Sequence, residues 1–385
     1  MLCMILVSCT GQKTGKENDN NDKIAIEVGE IKFPPQDVLQ LKSYYLSSSV
    51  HVDSIDYLIG YNYRLHSLDC MNLKSKSVTQ IVLPGDGPDA IVRLSGIYAQ
   101  SLDSVWISDE SERAFLIDSV GTIKRMIDLK KYLEDQEQLL INTNYAMFTS
   151  HLFYNASRHS LMFLVKHTPS NTFIVKEVFI DEVGKMATYQ LSSSKVVPDM
   201  SKGYAYINFP NVNFVGENIV YNYPVESSIY MLDIRTNERK YILADSHYTS
   251  NIIEKCTTSG DYATLEKHWL ENSHFYDIMY LPKYKIYARL HADKVDFDEK
   301  KGMEKLINER DLYLMLFDEN MEKIGETKLS NCRYSPFTSW NATYGGIALF
   351  VDNVLDEKNN TDDLTKDNNI SILFKAKLHK VISFQ

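Results

Sequence analysis

The side chains that could do chemistry are scattered along this sequence and form no recognised catalytic motif. The chain has no GxSxG nucleophile elbow, no HExxH zinc motif, no phosphate-binding loop, no dinucleotide fingerprint and no EF-hand calcium loop. His268 and His274 flank Trp269 and could bring two imidazoles to one metal ion, but histidines in a polar loop usually face solvent. We therefore predict no metal site, no cofactor and no catalytic residue.

Five aspartates recur in a regular pattern. Each follows an aliphatic or aromatic residue at the end of an apolar run, and a leucine closes the next run 10 to 14 residues later. The five are Asp69, Asp118, Asp181, Asp233 and Asp318. An aspartate at the end of a strand satisfies the backbone amides of the following turn. We interpret the pattern as strands joined by turns and assign these carboxylates no catalytic role.

Composition and charge exclude several classes of protein. The 385 residues are 44% apolar and 24% charged, and 41 Lys and Arg against 51 Asp and Glu give a net charge of −10. These values exclude a disordered chain and a polytopic membrane protein. An acidic chain without a basic cluster is also unsuited to nucleic acid, whose binding depends on neutralising phosphates. The 25 tyrosines favour β-structure.

The elements that carry these residues are short strands. The clearest copy of the repeat covers residues 97–129, with strands at Val105–Ile107, Arg113–Ile117 and Ile123–Leu129. A second copy covers residues 218–243. Strands of this length joined by tight turns predict an antiparallel meander.

The repeats predict one all-β domain over residues 24–385, a six-bladed β-propeller of four-stranded antiparallel blades. The chain ends one strand short of a sixth blade, and the segment from Lys23 to Phe33 is strand-like without a local partner. We expect it to close the ring by pairing with the segment from Ile370 to Ala376. Short helical insertions are expected at 130–140, 251–270 and 293–308. A β-sandwich with a second domain is the alternative.

The N-terminal residues are a candidate targeting signal. The apolar run Met1–Val7 is too short to span a bilayer and precedes Ser8-Cys9 and a polar stretch. Residues 6–9 (Leu-Val-Ser-Cys) resemble the bacterial lipobox, which implies cleavage before Cys9 and lipid on its thiol and amine. Residues 1–8 would then be the remnant of a signal peptide and residues 9–23 a lipidated flexible tether. The alternative is a frayed apolar terminus with a chance cysteine.

A resemblance to a family covers nearly the whole chain. The lipobox, the tether and the turn Leu83-Pro84-Gly85-Asp86-Gly87-Pro88-Asp89 between blades are similar to the six-bladed propeller lipoproteins of Bacteroidetes-type bacteria. The chain looks like a member of the uncharacterised family known as domain of unknown function 4221. This resemblance implies the propeller fold and an outer-membrane location, on the periplasmic or the exterior side. It adds no catalytic residue.

Three cysteines remain beyond the tether, at positions 70, 256 and 332. No CxxC pair and no Cys/His ligand spacing joins them, so buried free thiols are favoured. One disulfide plus one thiol is the alternative.

The sequence favours a binding or scaffold protein of the cell envelope over an enzyme. Segments that lead into the innermost strands should surround the mouth of the axis, where loops on a rigid scaffold commonly carry function. The candidate ligand-binding residues there are Arg93, Tyr206, Asn208, His274, Arg333 and Trp340. We expect a monomer that recognises a peptide, a glycan or a partner protein. A metal-dependent lactonase-like or glycan-cleaving propeller is the alternative.

Repeated aromatic pairs admit two interpretations. Tyr61/Tyr63, Tyr204/Tyr206 and Tyr221/Tyr223 alternate with polar residues, as inward-facing strand residues do. Packing in the core is the favoured role, and a platform for stacking on sugar rings is the alternative.

Overall fold

The computed structural model describes most of the chain between the two terminal strands. The described residues are 24–34, 41–141, 147–197, 203–204, 207–256, 261–329, 332–355 and 370–378. They form an all-β propeller of four-stranded antiparallel blades with few helices. The predicted signal remnant 1–8 and tether 9–23 lie outside the described residues and stay predictions.

Five blades are each built from one continuous stretch of chain. After the first strand, β1 (Ile24–Lys32), the first blade contains β2 (Ser47–Val52), β3 (Ile55–Asn62), β4 (Ser67–Asn72) and β5 (Val78–Val82). The second contains β6 (Leu94–Ser101), β7 (Ser104–Asp109), β8 (Arg113–Ile117) and β9 (Ile123–Asp128). In the third, β12 (Ser160–His167) pairs with β10 (Glu137–Leu139), β11 (Phe153–Asn155) and β13 (Thr172–Phe179), which pairs with β14 (Met186–Gln190).

The fourth and fifth blades complete this set. The fourth contains β15 (Asn211–Val215), β16 (Asn218–Asn222), β17 (Ile229–Asp233) and β18 (Arg239–Ile242). The fifth contains β19 (His274–Leu281), β20 (Ile286–Ala292), β21 (Leu312–Phe317) and β22 (Lys323–Lys328). In every blade the neighbouring strands are antiparallel, as the meander of the sequence repeat predicts.

One further sheet combines both ends of the chain. Its strand order is β1, then β25 (Ile370–Leu378), β24 (Ile347–Phe350) and β23 (Trp340–Ala342). β1 pairs with β25 over its full length, with Ile24 opposite Leu378 and Lys32 opposite Ile370. The antiparallel pairing predicted between these two segments is therefore present. The predicted count of six blades depends on adding this sheet to the five continuous blades.

Two of the three predicted helical insertions contain an α-helix. These are α1 (Tyr262–Leu270) and α2 (Met303–Glu309). The prediction for 130–140 is wrong beyond its start, because a single 3-10 turn at Leu129–Tyr132 gives way to the strand β10. There Glu137 pairs with His167 at the edge of β12, so backbone ladder bonds replace helical ones.

The turn-capping role predicted for the repeated aspartates is confirmed at three positions. Asp118 accepts hydrogen bonds from the amides of Val120 and Thr122 at 3.1 and 2.8 Å. Asp233 and Asp318 cap the equivalent turns in the fourth and fifth blades.

Two of the repeated aspartates do not cap turns in this way. Asp69 is buried in β4, where Tyr44, Asn62 and Gln80 donate hydrogen bonds to it at 2.7, 2.9 and 2.7 Å. Burial raises the pKa of the Asp69 carboxyl, although these donors oppose the shift. Asp181 is exposed and lies 3.3 Å from Arg125. The prediction is wrong for Asp69. Its carboxylate accepts a hydrogen bond from Tyr44 and so joins the segment before β2 to the first blade.

The innermost strands of neighbouring sheets contact one another. β2 contacts both β6 and β23, β19 contacts both β15 and β23, and β11 contacts β6. An isolated parallel bridge between Ser150 and Val212 joins the third blade to the fourth. The first strand of a blade is thus its innermost one, except in the third blade, where β11 holds this place. Apolar side chains fill the spaces between adjacent blades.

Candidate functional site

A cavity of about 300 Å³ lies among the inner strands. Residues from β2, β6, β15, β19 and β23 line it, together with the segment that leads into β11. The lining reaches the C-terminal ends of three inner strands, at Gly216, Tyr280 and Ala342. We call this space the axial cavity. Side chains from all the sheets can therefore converge on one ligand.

The most unusual group in the axial cavity is the carboxylate of Asp277. Its side chain is only 2% exposed, although it lies in the middle of β19. The indole Nε1 of Trp340 donates to its Oδ1 at 2.8 Å, and the Nε2 of His151 lies 3.0 Å from its Oδ2. Asn213 Nδ2 is 3.5 Å from the same Oδ2. A buried charge needs such donors, since an unpaired one would be costly.

The remaining walls of the axial cavity differ in character. On one side Phe153 stacks on Phe214 with ring centroids 5.0 Å apart, and Tyr98 meets Phe153 edge-on at 5.1 Å. On the other side Asn341 donates to Ser47 Oγ, and Ser48 Oγ accepts from the amide of Ala99. Burial raises the pKa of the Tyr98 phenol, so Tyr98 stays neutral. The cavity thus has an aromatic wall, a polar wall and a buried acceptor.

The donor set around Asp277 does not suit a divalent cation. Asp277 is the only carboxylate among the described lining residues, whereas a calcium ion takes six to eight oxygen ligands. Its two oxygens face N–H groups of Trp340 and Asn213 and the ring of His151, which would oppose a cation. Elsewhere in the described part of the chain, no group of three or more His, Cys, Asp or Glu side chains is placed to hold a metal. The arrangement is suited to hydrogen bonding with an organic ligand.

Two of the predicted ligand-binding residues lie in separate cavities. Trp340 lines the axial cavity and donates to Asp277. Arg93 lies outside that cavity, at the entrance to β6, where its side chain is largely exposed. The two side chains do not share a pocket.

Three of the other predicted residues, His274, Asn208 and Arg333, do not line the axial cavity. His274 is fully buried at the start of β19, where Trp269 Nε1 donates to its Nδ1 at 3.3 Å. Burial holds the pKa of His274 well below its usual range, which makes it a neutral core residue. Asn208 and Arg333 are half-buried. Tyr206 lies outside the described residues, and a role in binding stays a prediction for all of these residues.

His268 does not join His274 at a metal site. Its Nε2 donates to the backbone carbonyl of Glu254 at 2.6 Å. The three cysteines of the described region are buried or half-buried. Cys70 is a buried free thiol, and burial raises its pKa to about 12. Cys256 is buried and Cys332 half-buried.

The sequence prediction missed the residues at the centre of the axial cavity. Of the described residues that it named near the starts of the inner strands, only Trp340 lines the axial cavity. Next to Trp340, Ser339 donates both its amide and its hydroxyl to the carbonyl of the fully buried Tyr44. A usable signal was present in the sequence, because Asp277 is the one charged residue in the otherwise apolar and aromatic strand from Phe275 to Leu281.

Comparisons with known proteins support the fold. A crystal structure of a member of the DUF4221 family from Bacteroides vulgatus has a TM-score of 0.74, with 14% identity, over 94% of this chain and all of that one. A "putative exported protein" from Bacteroides fragilis has a TM-score of 0.55, also with 14% identity, over 94% of this chain and 98% of that one. A search of the curated proteins finds no match. At such identities the likeness shows the fold alone.

The helices of the described region are too short or too polar to cross a bilayer. The family model described as "Domain of unknown function (DUF4221)" matches residues 17–328, most of the chain. The chain therefore belongs to the DUF4221 family.

Proposed function

We propose that this protein is a binding or scaffold propeller of the cell envelope that receives part of a peptide, glycan or partner protein in the axial cavity. The observation that carries the proposal is the buried Asp277 carboxylate, fixed by Trp340 and His151 where strands of every sheet converge. A charged group held in place before a ligand arrives lowers the entropy cost of binding. Nothing in the described part of the chain favours the metal-dependent enzyme that the sequence left as an alternative.

The size and walls of the axial cavity define what it can take. A volume of about 300 Å³ is at the lower limit of small-molecule sites, so one ring or one side chain of a larger ligand fits. The aromatic wall of Tyr98, Phe153 and Phe214 suits the apolar face of such a ring. The polar wall would then donate or accept hydrogen bonds at its edge, and Asp277 would accept them.

We also propose that the ring has six blades and is closed by β1. Three observations support this: the sheet that combines β1 with β23, β24 and β25, the full-length β1–β25 register, and the contacts of β23 with both β2 and β19. Closure of this kind leaves only short protected edges. A rigid ring would hold the lining residues of the axial cavity in fixed positions.

A lipid anchor at Cys9, leading to an outer-membrane location, completes the proposal. The lipobox-like residues 6–9 support it, as does the "putative exported protein" of similar fold. Two or more acyl chains would hold the protein on a membrane almost permanently. Cys9→Ala should therefore move the protein from the membrane fraction to the soluble fraction or leave it unprocessed. An unchanged membrane fraction would contradict the anchor.

The binding role is tested by blocking the axial cavity. Ala342→Phe places a ring in it, whereas Ala187→Phe makes the same change on the outer strand β14 and serves as the control. Full-length wild type and both variants are used to capture molecules from native envelope, and bound glycans and proteins are identified by mass spectrometry. Wild type and Ala187→Phe should retain the same molecule and Ala342→Phe should lose it. Equal retention by all three would overturn the proposal.

A further inference from the structure

A second cavity lies where the chain enters the inner strands of the first and second blades. It has a volume of about 470 Å³. Its lining residues are Tyr45, Leu46, Tyr61, Tyr63, Arg93 and Leu94. Tyr45 and Leu46 directly precede β2, and Arg93 directly precedes β6. None of these residues lines the axial cavity, so we treat this space, the tyrosine slot, as independent of it.

Two tyrosine rings stand open in the slot. Tyr45 is 53% exposed and Tyr63 is 48% exposed. Their ring centroids are 6.2 Å apart and the rings are tilted by 40°, so they do not cover each other's faces. The core-packing role favoured from the sequence holds for Tyr61, which is buried, but is wrong for Tyr63. Adjacent large exposed rings are unusual on a protein surface unless something binds them.

Two guanidinium groups accompany these rings. The Arg93 side chain is 73% exposed, and its Nε is 3.5 Å from the Oε1 of Glu110, which is itself exposed. Exposed pairs of this kind are worth only about 0–1 kcal/mol, so a ligand anion could replace Glu110 at little cost. The guanidinium carbon of Arg64 lies 5.9 Å from the centre of the Tyr63 ring. The slot therefore offers aromatic faces beside positive charge.

We propose that the tyrosine slot binds an anionic sugar unit of a polysaccharide. A pyranose ring has apolar C–H faces that stack on tyrosine and hydroxyl edges that bond to phenols. A carboxylate or sulfate on the ring would pair with Arg93, whose planar fork matches such oxyanions. A volume of about 470 Å³ admits a ligand of this size. An acidic peptide would satisfy the arginine but leave the tilted tyrosine faces without a matching ring.

Calorimetric titration of the full-length protein with defined probes tests this proposal. The probes are a galacturonate oligomer, a sulfated galactose oligomer, a neutral galactose oligomer and a glutamate oligopeptide. At least one acidic oligosaccharide should bind ten times or more tightly than the neutral one and the peptide. The carboxylate and sulfate arms identify which anion the slot prefers. Raising the salt concentration should weaken acidic-sugar binding.

Variants of the slot separate stacking from charge. Tyr45→Ala and Tyr63→Ala should each weaken acidic-sugar binding about fivefold or more, and Arg93→Gln should abolish the preference over the neutral oligomer. Tyr262→Ala on α1 and Arg235→Gln beyond β17 remove equally exposed side chains elsewhere and should change nothing.

Circular dichroism and thermal melting confirm that each variant is folded, which exposed positions should permit. No binding by the wild type, equal binding of the neutral oligomer or the peptide, or binding unaffected by the tyrosine changes would each overturn the proposal.

Discussion

Asp277 illustrates how a single residue in an inner strand can define a site. Its carboxylate is buried, yet it accepts an indole hydrogen bond at 2.8 Å and lies 3.0 Å from an imidazole nitrogen. The sequence predicts that Trp340 binds ligand, but in the structure its Nε1 donates a hydrogen bond to Asp277. Its role in the proposed site is thus to position the carboxylate, while its ring lines the cavity.

Removing the indole donor should destabilise the protein. Trp340→Phe leaves Asp277 Oδ1 without its partner in a buried setting, which costs about 1–3 kcal/mol beyond the loss of ring size. Trp106→Phe is the control, because Trp106 is equally buried and stacks on Tyr154 with centroids 5.7 Å apart. Urea unfolding should show the larger loss for Trp340→Phe. Equal losses for the two variants would contradict a strong bond to Asp277.

A second buried carboxylate makes stability depend on pH. Burial alone would raise the pKa of Glu326, but the nearby imidazole of His291, the Ser246 hydroxyl at 2.6 Å and the His247 amide at 3.0 Å outweigh it and hold the pKa at about 2. An ordinary glutamate has a pKa of about 4.3. The charged form therefore stabilises the fold above about pH 5, and this contribution is lost as the pH falls toward 2.

Glu326→Gln tests this linkage. The variant should be less stable than wild type at pH 7, and the difference should shrink between about pH 5 and pH 3. Glu182→Gln, at an exposed glutamate paired with Lys185, is the control and should show little difference at any pH. Free energies from urea unfolding across this range provide the measurement. A Glu326→Gln difference that does not change with pH would contradict the prediction.

At the scale of secondary-structure elements, a turn of one blade packs closely against a strand of its neighbour. Gly121, in the turn between β8 and β9, has φ +84°, and a Cβ there would lie 2.2 Å from the carbonyl oxygen of Val82 in β5. Glycine is required at this turn both for its backbone conformation and for the close approach of the first blade. A glycine in a tight turn is a signal that the sequence carries, but only the packed blades reveal the second reason.

Gly121→Ala should therefore destabilise the protein more than the matched change Gly184→Ala. Gly184 has a similar φ of +79°, but a Cβ there would meet nothing within 4 Å. Both variants pay about 1 kcal/mol or more for the left-handed conformation, and only Gly121→Ala adds a clash with backbone. The difference in unfolding free energy should exceed about 1 kcal/mol. Equal losses would show that the turn can move away from Val82.

The pairing of β1 with β25 gives a second prediction at this scale. Deleting residues 1–34 removes a strand that pairs over nine residues and leaves the edge of β25 unpaired. The melting temperature should fall clearly. Deleting residues 1–23 is the control, since β1 remains, and should leave the melting temperature unchanged. If both truncations melt alike, β1 does not stabilise the ring.

For the whole molecule, the fold was more predictable than the site. Strand alternation and turn aspartates such as Asp118 are local signals, and they predicted the antiparallel blades that each come from one continuous stretch of chain. The convergence of His151, Asn213 and Asp277 depends on where β15, β19 and the segment before β11 come together, which no local pattern contains. The hydrogen bond from Ser339 to the Tyr44 carbonyl joins residues far apart in the sequence, so it is likewise a tertiary feature.

Methyl NMR on the full-length protein tests the central claim, that the axial cavity receives a ligand. Met279 lines this cavity, whereas Met126 is exposed on the outer strand β9. With ¹³C-methyl methionine, and with Met279→Leu to assign the signal, the protein is titrated with the envelope molecules that the wild type retains. The account predicts a saturable shift of the Met279 methyl and none of the Met126 methyl. An unmoved Met279 signal, or an envelope extract from which nothing is retained, would contradict it.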